Sequence, residues 1–198
     1  MRLLVIHAHP SPESFNADLH RAVIERLRER NEVEDCNLYA EGFEAVLDEA
    51  EFRGYEANDI APALQPHVAR LRKAQGLLCM FPTWNYGMPA IVKGYFDRVW
   101  KPGVAFELVN GRPRPALTHI THLGVITTYG SPWAYNKLFM FEPNKRVFMR
   151  GFGRLLAPKL QKLWLAQFSE DKISDEERNE FVRKARAEAS EWASQPPL

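Results

Sequence analysis

Short apolar runs alternate with helix-forming patterns along this chain, and that alternation restricts the fold more than any other feature. Residues 2–7 (RLLVIH) and 76–81 (GLLCMF) form almost continuous apolar runs, which are typical of strands buried on both faces. A segment rich in β-branched residues predicts another strand at 120–129, and shorter segments predict strands at 32–39 and 160–168.

Helical patterns fill the segments between these strands. The first is predicted to begin at an Asn16 N-cap and to end near Asn31. A polar stretch (41–58) precedes the second pattern, and a Ser174/Glu177 capping box precedes the last one. The apolar positions that recur at helical spacing are Leu19, Val23 and Leu27; Leu64, Val68 and Leu71; Ile91, Tyr95 and Val99; and Phe181, Ala185, Ala189 and Trp192.

Strands that alternate with helices imply right-handed crossovers and a parallel sheet covered on both faces. The sequence therefore predicts an α/β fold with a doubly wound, five-stranded parallel sheet. A turn signal, NGRP at Asn110, predicts a hairpin outside this alternation. No linker, repeat or low-complexity segment interrupts the pattern, so residues 1–198 are predicted to form a single domain.

Charge and cysteine content argue against several classes of protein. Lys and Arg number 26 against 25 Asp and Glu, so no overall field favours nucleic acid or an anionic membrane surface. Cys36 and Cys79 lie far apart without CxxC spacing, which suits buried thiols in a reducing compartment. The apolar N-terminal run is too short for a signal peptide or a membrane span, so we expect a cytoplasmic protein.

Three loops of the sequence are candidates for a ligand site. In doubly wound folds, ligands bind beyond the carboxyl ends of the strands. Residues 7–16, 82–87 and 127–135 each follow or end a predicted strand. We therefore expect these three loops to form one site.

The second of these loops is rich in aromatic rings and poor in acids and bases. Trp84 and Tyr86 can stack on a flat heterocycle, and the backbone of residues 83–87 can bond to its edge. The loop carries no general base and no nucleophile with an activator. This combination favours flavin as the ligand.

The first loop opens a helix, where unpaired N–H groups favour a phosphate. His9, Ser14 and Asn16 can add donors there, although Ser14 and Asn16 could equally serve only as helix caps. The chain has neither GxGxxG nor GxxxxGK[ST], which argues against a Rossmann dinucleotide site and against nucleotide hydrolysis.

Histidine pairs and a basic run have two interpretations each. His7 and His9 could point the same way on a strand, but no third metal ligand is evident. The same holds for His119 and His122, so no metal site is predicted. Residues 137–162 carry seven Lys or Arg and one acid; this run could favour an anionic nucleotide, and we expect a solvated helix face.

Three segments of the chain resemble the flavodoxin-like NAD(P)H:quinone oxidoreductases, the DT-diaphorase group and its smaller bacterial relatives. They are HAHPSPESFN at 7–16, FPTWNYGMPAIVKGYFDRV at 81–99 and ITTYGSPWAY at 126–135, and they occur in the order of that family. The second segment is long and specific, and the three are spread across about the first two thirds of the chain.

The resemblance implies a bound flavin, FAD with FMN as the alternative, at the interface of a homodimer. Tyr135 falls where the family has an active-site tyrosine, and Phe106 and Leu108 would lie near the substrate beside the partner's flavin. The residues implied to hold the flavin are His9, Ser14, Phe15 and Asn16 on the phosphate side, and Pro82, Thr83, Trp84, Asn85, Tyr86, Gly87, Thr127, Thr128, Tyr129, Gly130 and Tyr135 around the ring.

The implied activity is transfer of hydride from NADH or NADPH to a quinone-like acceptor by a ping-pong cycle. Larger members of the family carry a histidine six positions beyond the tyrosine, where this chain has Phe141. Their proton-handling step therefore cannot be transferred, and the chain looks like the small bacterial branch. Two alternatives stay open: a flavin-binding electron carrier, and a regulatory subunit of a potassium-efflux system.

Overall fold

The computed structural model describes residues 1–55 and 59–198, and these residues form seven strands. Their bounds are β1 (Arg2–His7), β2 (Glu32–Asn37), β3 (Gly76–Thr83), β4 (Phe106–Val109), β5 (Arg112–Pro115), β6 (His122–Tyr129) and β7 (Gln161–Gln167). Every predicted strand is confirmed, with ends that move by at most two residues. The last three residues of the polar stretch predicted at 41–58 lie outside the described residues.

Five of these strands form one sheet in the order β2-β1-β3-β6-β7, and all neighbours in it are parallel. The strand order reverses between β1 and β3, which is the switch point where doubly wound sheets open a crevice for ligands. β4 and β5 pair antiparallel in a separate hairpin around the turn at Asn110, as the sequence predicts.

Helices cover both faces of the sheet, so the predicted doubly wound fold is confirmed. Their bounds are α1 (Phe15–Arg28), α2 (Glu49–Arg53), α3 (Gln65–Lys73), α4 (Ala90–Val99), α5 (Pro143–Arg146) and α6 (Asp175–Ser194). Alternate residues of β1 face opposite cores, because strand side chains alternate between the faces. Leu4 and Ile6 pack with α3 and α4, whereas Leu3 and Val5 pack with α1 and α6.

The prediction that Asn16 caps the first helix was wrong. Ser14 is the N-cap: its backbone is extended (φ −75°, ψ 155°) and its Oγ accepts a hydrogen bond from the N–H of Ala17 at 3.1 Å. Asn16 lies inside the first turn, where it is 3% exposed. The helix ends at Arg28. The side-chain amide of Asn31 then bonds the Leu27 carbonyl of the last turn at 3.0 Å.

The basic run at 137–162 is not one helix face. The chain there folds into short turns, a π-helical turn at Tyr135–Phe139, α5, a second π-helical turn at Val147–Gly151 and a 3₁₀ turn at Phe152–Leu155. Pro143, Gly151, Gly153 and Pro158 interrupt the segment, and these residue types disfavour helix interiors. Across the described ranges, no helix has both the length and the apolar character needed to cross a membrane.

Candidate functional site

The three predicted loops lie at one edge of the sheet, because β1, β3 and β6 are neighbouring parallel strands. His9, after β1, meets Trp84, after β3, edge-on with ring centroids 6.3 Å apart. The Oγ1 atoms of Thr83 and Thr127, at the ends of β3 and β6, lie 2.8 Å apart. The structure thus brings residues of all three loops together, as the sequence predicts.

The loop after β3 is a tight turn that presents aromatic rings. The backbone groups of Trp84 and Gly87 exchange two hydrogen bonds of 3.0 Å, and the two central residues, Asn85 and Tyr86, have φ values of 49° and 62°. Two positive φ values define a type I′ turn, which a non-glycine residue adopts only at a cost. The strained turn leaves the Trp84 ring 43% exposed at the edge of the sheet.

The Tyr86 ring lies beside an aromatic residue of the segment after β6. Its centroid lies 5.8 Å from that of Tyr135, and the Tyr135 ring stacks on Phe139 at 5.5 Å. Tyr135 is 44% exposed. A planar ligand could therefore contact Trp84, Tyr86 and Tyr135 from the solvent side.

A group of hydroxyl and amide side chains connects these loops to the segment after β6. Asn144 of α5 donates its Nδ2 hydrogen to Thr83 Oγ1 at 3.1 Å, and its Oδ1 is buried without a partner among the described residues. Asn136 donates to Ser131 Oγ at 2.6 Å and also keeps a buried, unpartnered Oδ1. Sequence reasoning missed both asparagines, because each lies far along the chain from the loop that it supports.

The third loop is partly used for packing. Thr128 and Tyr129 are buried, and the Tyr129 ring stacks on Phe168 with centroids 4.9 Å apart. Burial raises the pKa of the Tyr129 hydroxyl. The Asp171 carboxylate approaches Gly130 closely, since a Cβ there would lie 2.8 Å from Asp171 Oδ2 and would displace that side chain. The side chain of Thr127, in contrast, contacts the second loop directly through the Thr83 hydroxyl.

The phosphate-side residues predicted in the first loop have different environments. The Ser14 hydroxyl donates to the Ser11 carbonyl at 2.9 Å while it caps α1, so it is already satisfied within the chain. The Phe15 ring packs toward Phe181 of α6 at 6.5 Å. Asn16 differs, because its Nδ2 is buried without a partner among the described residues. Asn16 therefore offers the strongest unused donor of this loop.

A buried histidine pair supports Asn16. His7 Nε2 lies 3.2 Å from Asn16 Oδ1, and the His7 ring stacks on His20 at 4.0 Å with an angle of 10° between the planes. His20 Nε2 in turn lies 3.0 Å from Asp35 Oδ1. Burial, reinforced by the neighbouring His20, lowers the pKa of His7 to about 3. A neutral His7 can donate its Nε2 hydrogen to Asn16 and thereby fix the amide.

These contacts also separate the two histidines that were considered as a metal pair. His7 is 1% exposed and faces α1, whereas His9 Nδ1 lies on the loop, 3.0 Å from the Ser11 backbone. The alternation of side chains along β1 could not predict the contact between His7 and His20, because His20 lies on α1. An open cavity of about 430 Å³ adjoins this region, lined by both histidines with His20, Arg21, Asn37 and Tyr39.

A second group has metal-like composition. The ligand atoms of Cys36, Glu41 and His67 lie within 4.8 Å of one another. The guanidinium of Arg70 occupies the same place, however, 2.6 Å from Glu41 Oε2 and 3.3 Å from Cys36 Sγ. Burial raises the pKa of the Cys36 thiol to about 12. A positive group beside a protonated thiol favours an ion pair over a metal site.

The predicted substrate residues on the hairpin are not joined to these loops within one copy of the chain. Phe106 packs against the core on the α3 and α4 side, while Leu108 is 49% exposed. Among the described residues, no aromatic contact links Phe106 to Trp84, Tyr86 or Tyr135.

Strand order and switch point together define a doubly wound α/β protein, and the ring-lined loops form a candidate ligand site at its carboxyl edge. The profile of the family described as Flavodoxin_2, flavodoxin-like fold, matches residues 1–191. The chain therefore belongs to this flavodoxin-like family, and the predicted family is confirmed.

Curated relatives with the same likeness carry oxidoreductase names. The uncharacterized NAD(P)H oxidoreductase YcaK of Escherichia coli (strain K12) is 32% identical over 109 residues, 53% of this chain and 55% of that protein. The ribosyldihydronicotinamide dehydrogenase (quinone) of Homo sapiens is 25% identical over 207 residues, 91% of this chain and 87% of that protein. The chain spans about half the length of the first curated relatives that it matches.

Two solved structures share the fold. The NAD(P)H:quinone oxidoreductase from Methanothermobacter marburgensis gives a TM-score of 0.84 at 22% identity, over 99% of this chain and 98% of that one. The FMN-dependent NADH-azoreductase from Bacillus anthracis str. Ames Ancestor, in complex with FMN, gives 0.72 at 16% identity, over 100% of this chain and 99% of that one. At these identities the likeness concerns the fold alone.

Proposed function

We propose that this chain is a flavin-dependent oxidoreductase that takes hydride from NADH or NADPH and passes it to a quinone-like acceptor by a ping-pong cycle. The observation that carries the proposal is the group formed by the exposed rings of Trp84 and Tyr135 and the half-buried ring of Tyr86, on the loops that follow the paired Thr83 and Thr127 hydroxyls. The family match and the names of the relatives support it. The 198 residues would act as one domain in the cytoplasm.

The residues present fit a flavin. Buried donors and acceptors without partners lie at the first and third loops, and a ligand with polar edges would satisfy them. Asn16 and the first N–H groups of α1 would hold the phosphate, with His9 beside them. Residues 82–87 and 127–130 would surround the ring. When bound, flavin supplies the capacity to accept a hydride and to release it to a second substrate.

The open cavity next to the first loop favours FAD over FMN. It measures about 430 Å³, within the range of small-molecule sites, and it adjoins the place proposed for the phosphate. Arg21, which pairs with Asp18 in this structure, lines the cavity and would exchange that partner for a second phosphate, which FMN lacks. FMN would leave this cavity to solvent.

We also propose a homodimer, because apolar side chains are exposed along the segment after β6. This aromatic patch comprises Trp133, Leu138, Phe139 and Val147, each at least 42% exposed. A contiguous apolar surface of this kind marks an interaction site. A second copy would cover it and would bring its hairpin, with Phe106 and Leu108, toward the acceptor.

One experiment tests the proposed function directly. The full chain is purified, its non-covalent cofactor is released by heat and identified by mass, and the protein is then mixed anaerobically with NADH or NADPH. We expect FAD, its bleaching by the nicotinamide, and its reoxidation when a quinone is added. An electron carrier would bind flavin without reduction by either nicotinamide. A protein that neither contains nor takes up FAD or FMN would contradict the proposal.

We expect Trp84→Ala to weaken flavin binding threefold to tenfold, because a ring contact contributes about 0.5–1.5 kcal/mol beyond its buried area. The measurement is fluorescence titration of the apoprotein with flavin. Phe52→Ala is the control, since Phe52 is an exposed ring on α2 and should leave the affinity unchanged. Equal affinities of wild type and Trp84→Ala would show that this ring does not contact the ligand.

We expect Tyr135→Phe to slow flavin reduction by NAD(P)H roughly tenfold, about 1.4 kcal/mol. The phenol hydroxyl would donate a hydrogen bond where negative charge develops. Backbone N–H groups would still stabilise that charge in the variant, so the expected loss of rate is moderate. Phe141 cannot relay a proton from it. Stopped-flow measurement gives the rate, and flavin affinity should stay nearly the same. A variant reduced as fast as wild type would restrict Tyr135 to packing.

A further inference from the structure

The segment from Lys137 to Lys162 carries a concentration of positive charge that the proposed flavin site does not use. The whole chain has a net charge of +1, yet this segment holds seven Lys or Arg against a single carboxylate, Glu142. A local excess of one sign creates a potential that attracts ions of the opposite sign.

Few of these cations are paired. Glu142 lies 3.8 Å from Lys145, which uses the only carboxylate of the segment. Among the described residues, Lys137, Arg146 and Arg150 have no carboxylate within 4.0 Å. Unpaired guanidinium groups that lie close together remain available for an external anion.

The unpaired cations converge on a cavity. A concavity of about 380 Å³, here called the cationic cavity, is lined by four cations, one carboxylate and two apolar residues: Lys137, Lys145, Arg146 and Arg150, Glu142, and Phe141 and Met149. Its mixture of positive and apolar side chains suits a ligand that is both anionic and aromatic. A neighbouring concavity of about 400 Å³ shares Met149 and Arg150 with it, so the positive surface extends further.

The cationic cavity adjoins the ring-lined loops through the backbone. Asn144, which bonds Thr83 at 3.1 Å, is the residue directly before Lys145 and Arg146. On the other side, the turn that carries Tyr135 leads to Lys137. A ligand in the cavity would therefore lie next to a ligand on the rings.

The wall of the cavity contains a strained pair. Phe141 and Glu142 have φ values of 55° and 49°, both in the left-handed region that non-glycine residues adopt at a cost. This backbone leaves the Phe141 ring 57% exposed, with the Arg146 guanidinium 5.7 Å from its centroid. An exposed ring beside a guanidinium is a suitable platform for a purine base.

We infer that the cationic cavity binds the adenosine end of NADPH, with Arg146 and Arg150 holding the 2′-phosphate and Phe141 contacting the adenine. This inference rests on the proposed function, and it makes NADPH the preferred electron donor. The 2′-phosphate is a tetrahedral anion, and the planar guanidinium binds two of its oxygens through paired hydrogen bonds. NADH lacks this phosphate and would leave both arginines without an anion.

Glu142 does not reverse this preference. A carboxylate near a ribose favours NADH when it bonds the 2′-hydroxyl. Here Lys145 lies 3.8 Å from the carboxylate, and three further cations line the same cavity, so positive charge remains in excess there.

The first test compares the two donors in steady-state reduction of a quinone by the full chain. We expect wild type to show at least a tenfold higher kcat/KM with NADPH than with NADH. Arg146→Gln combined with Arg150→Gln should abolish that ratio through the KM for NADPH, with less than a twofold change in the KM for NADH. Arg30→Gln combined with Arg183→Gln is the control, because both arginines are exposed and lie outside this segment, in the turn after α1 and on α6.

The second test measures binding without turnover. In calorimetry, 2′,5′-ADP should bind wild type at least tenfold more tightly than 5′-AMP, and the Arg146/Arg150 variant should lose the difference. Inorganic phosphate is the third probe; if it binds as tightly as 2′,5′-ADP, the cavity holds any phosphate and the inference is wrong.

The outcomes separate this inference from the proposed function. A wild type that uses NADH and NADPH equally, or a double variant that keeps the NADPH preference, overturns the inference and leaves the reductase intact. A protein that oxidises neither donor contradicts the proposed function. In that case tighter binding of 2′,5′-ADP, lost in the double variant, would still support the cavity as a 2′-phosphate site, and equal binding would overturn it.

Discussion

Replacement of Gly94 by alanine should destabilise the protein by about 3 kcal/mol, although alanine normally stabilises a helix relative to glycine. Gly94 is buried in α4, and a Cβ built there would lie 2.1 Å from the Ala45 carbonyl oxygen and 2.6 Å from its Cα. These are backbone atoms, which cannot rotate away as a flexible side chain can. The substitution therefore forces α4 and the crossing chain apart.

The crossing chain is held where the clash would occur. Arg98, one turn after Gly94, donates to the Glu44 carbonyl and, through Nε, to Glu51 Oε2 at 2.7 Å. The pair of Arg98 and Glu51 is buried, so separating it would leave charges without partners. This anchoring makes relaxation of the backbone costly.

Equilibrium denaturation in urea measures the effect, with Gly151→Ala as the matched control. A Cβ at Gly151 meets no atom within 4 Å, and its φ of −75° suits alanine. We expect the control to change the free energy of unfolding by less than about 0.5 kcal/mol. A loss below 1 kcal/mol for Gly94→Ala would mean that the two backbones move apart easily.

The sheet could be predicted from sequence because its central strands have a simple signature. β1 and β3 are buried on both faces, so their apolar runs are nearly continuous, and parallel strands bring their carboxyl ends to one edge. The prediction ended β3 two residues early, at Phe81, because the signature relies on apolar residues alone. Thr83 belongs to the strand through its pairing with Tyr129 in β6, which a scan for apolar residues does not detect.

The side-chain contacts of the site could not be predicted in the same way. Asn144 and Thr83 are 61 positions apart, and Thr127 and Thr83 are 44 apart, so no local spacing connects them. The cap of α1 shows a smaller difficulty. Ser14 and Asn16 are both good N-cap residues, and only the burial of Asn16 against His7 decides between them.

The number of charges in the basic run (137–162) also could not predict its structure. A tally of Lys and Arg predicts a positive surface, but it cannot distinguish a solvated face from a cavity. The difference depends on the turns around Phe141 and Glu142, whose left-handed backbone has no glycine to indicate it. Unexpected conformations of this kind concentrate at functional sites.

Acid should destabilise the protein through His7, by about 2 kcal/mol between pH 8 and pH 5. The pKa of His7 is lowered from 6.5 to about 3, chiefly by burial, with His20 as the next cause. The folded state therefore binds this proton less readily than the unfolded state between pH 6.5 and about 3. Stability is fully present above pH 6.5 and decreases by up to about 1.4 kcal/mol per unit as the pH falls.

The groups around His7 decide the pH at which its effect can be isolated. His20 stacks on it, and Asp35 faces His20 at 3.0 Å. Burial alone would raise the pKa of Asp35. Its hydrogen bond to His20 and the charges of neighbouring basic groups outweigh burial, so the pKa is lowered. The stabilisation from Asp35 is lost only as the pH falls through its folded pKa, below the range used for His7. Measurements at pH 5 to 8 therefore report His7 with little contribution from the carboxylate.

The decisive comparison is the free energy of unfolding of wild type and His7→Gln at pH 8 and pH 5. Glutamine can still donate a hydrogen bond to Asn16 but cannot be protonated, so the variant should lose about 2 kcal/mol less than wild type on acidification. His119→Gln, on an exposed loop, should lose as much as wild type. If His7→Gln and wild type lose the same free energy, His7 takes up a proton in the folded state, and its contact with Asn16 is not maintained by a neutral ring.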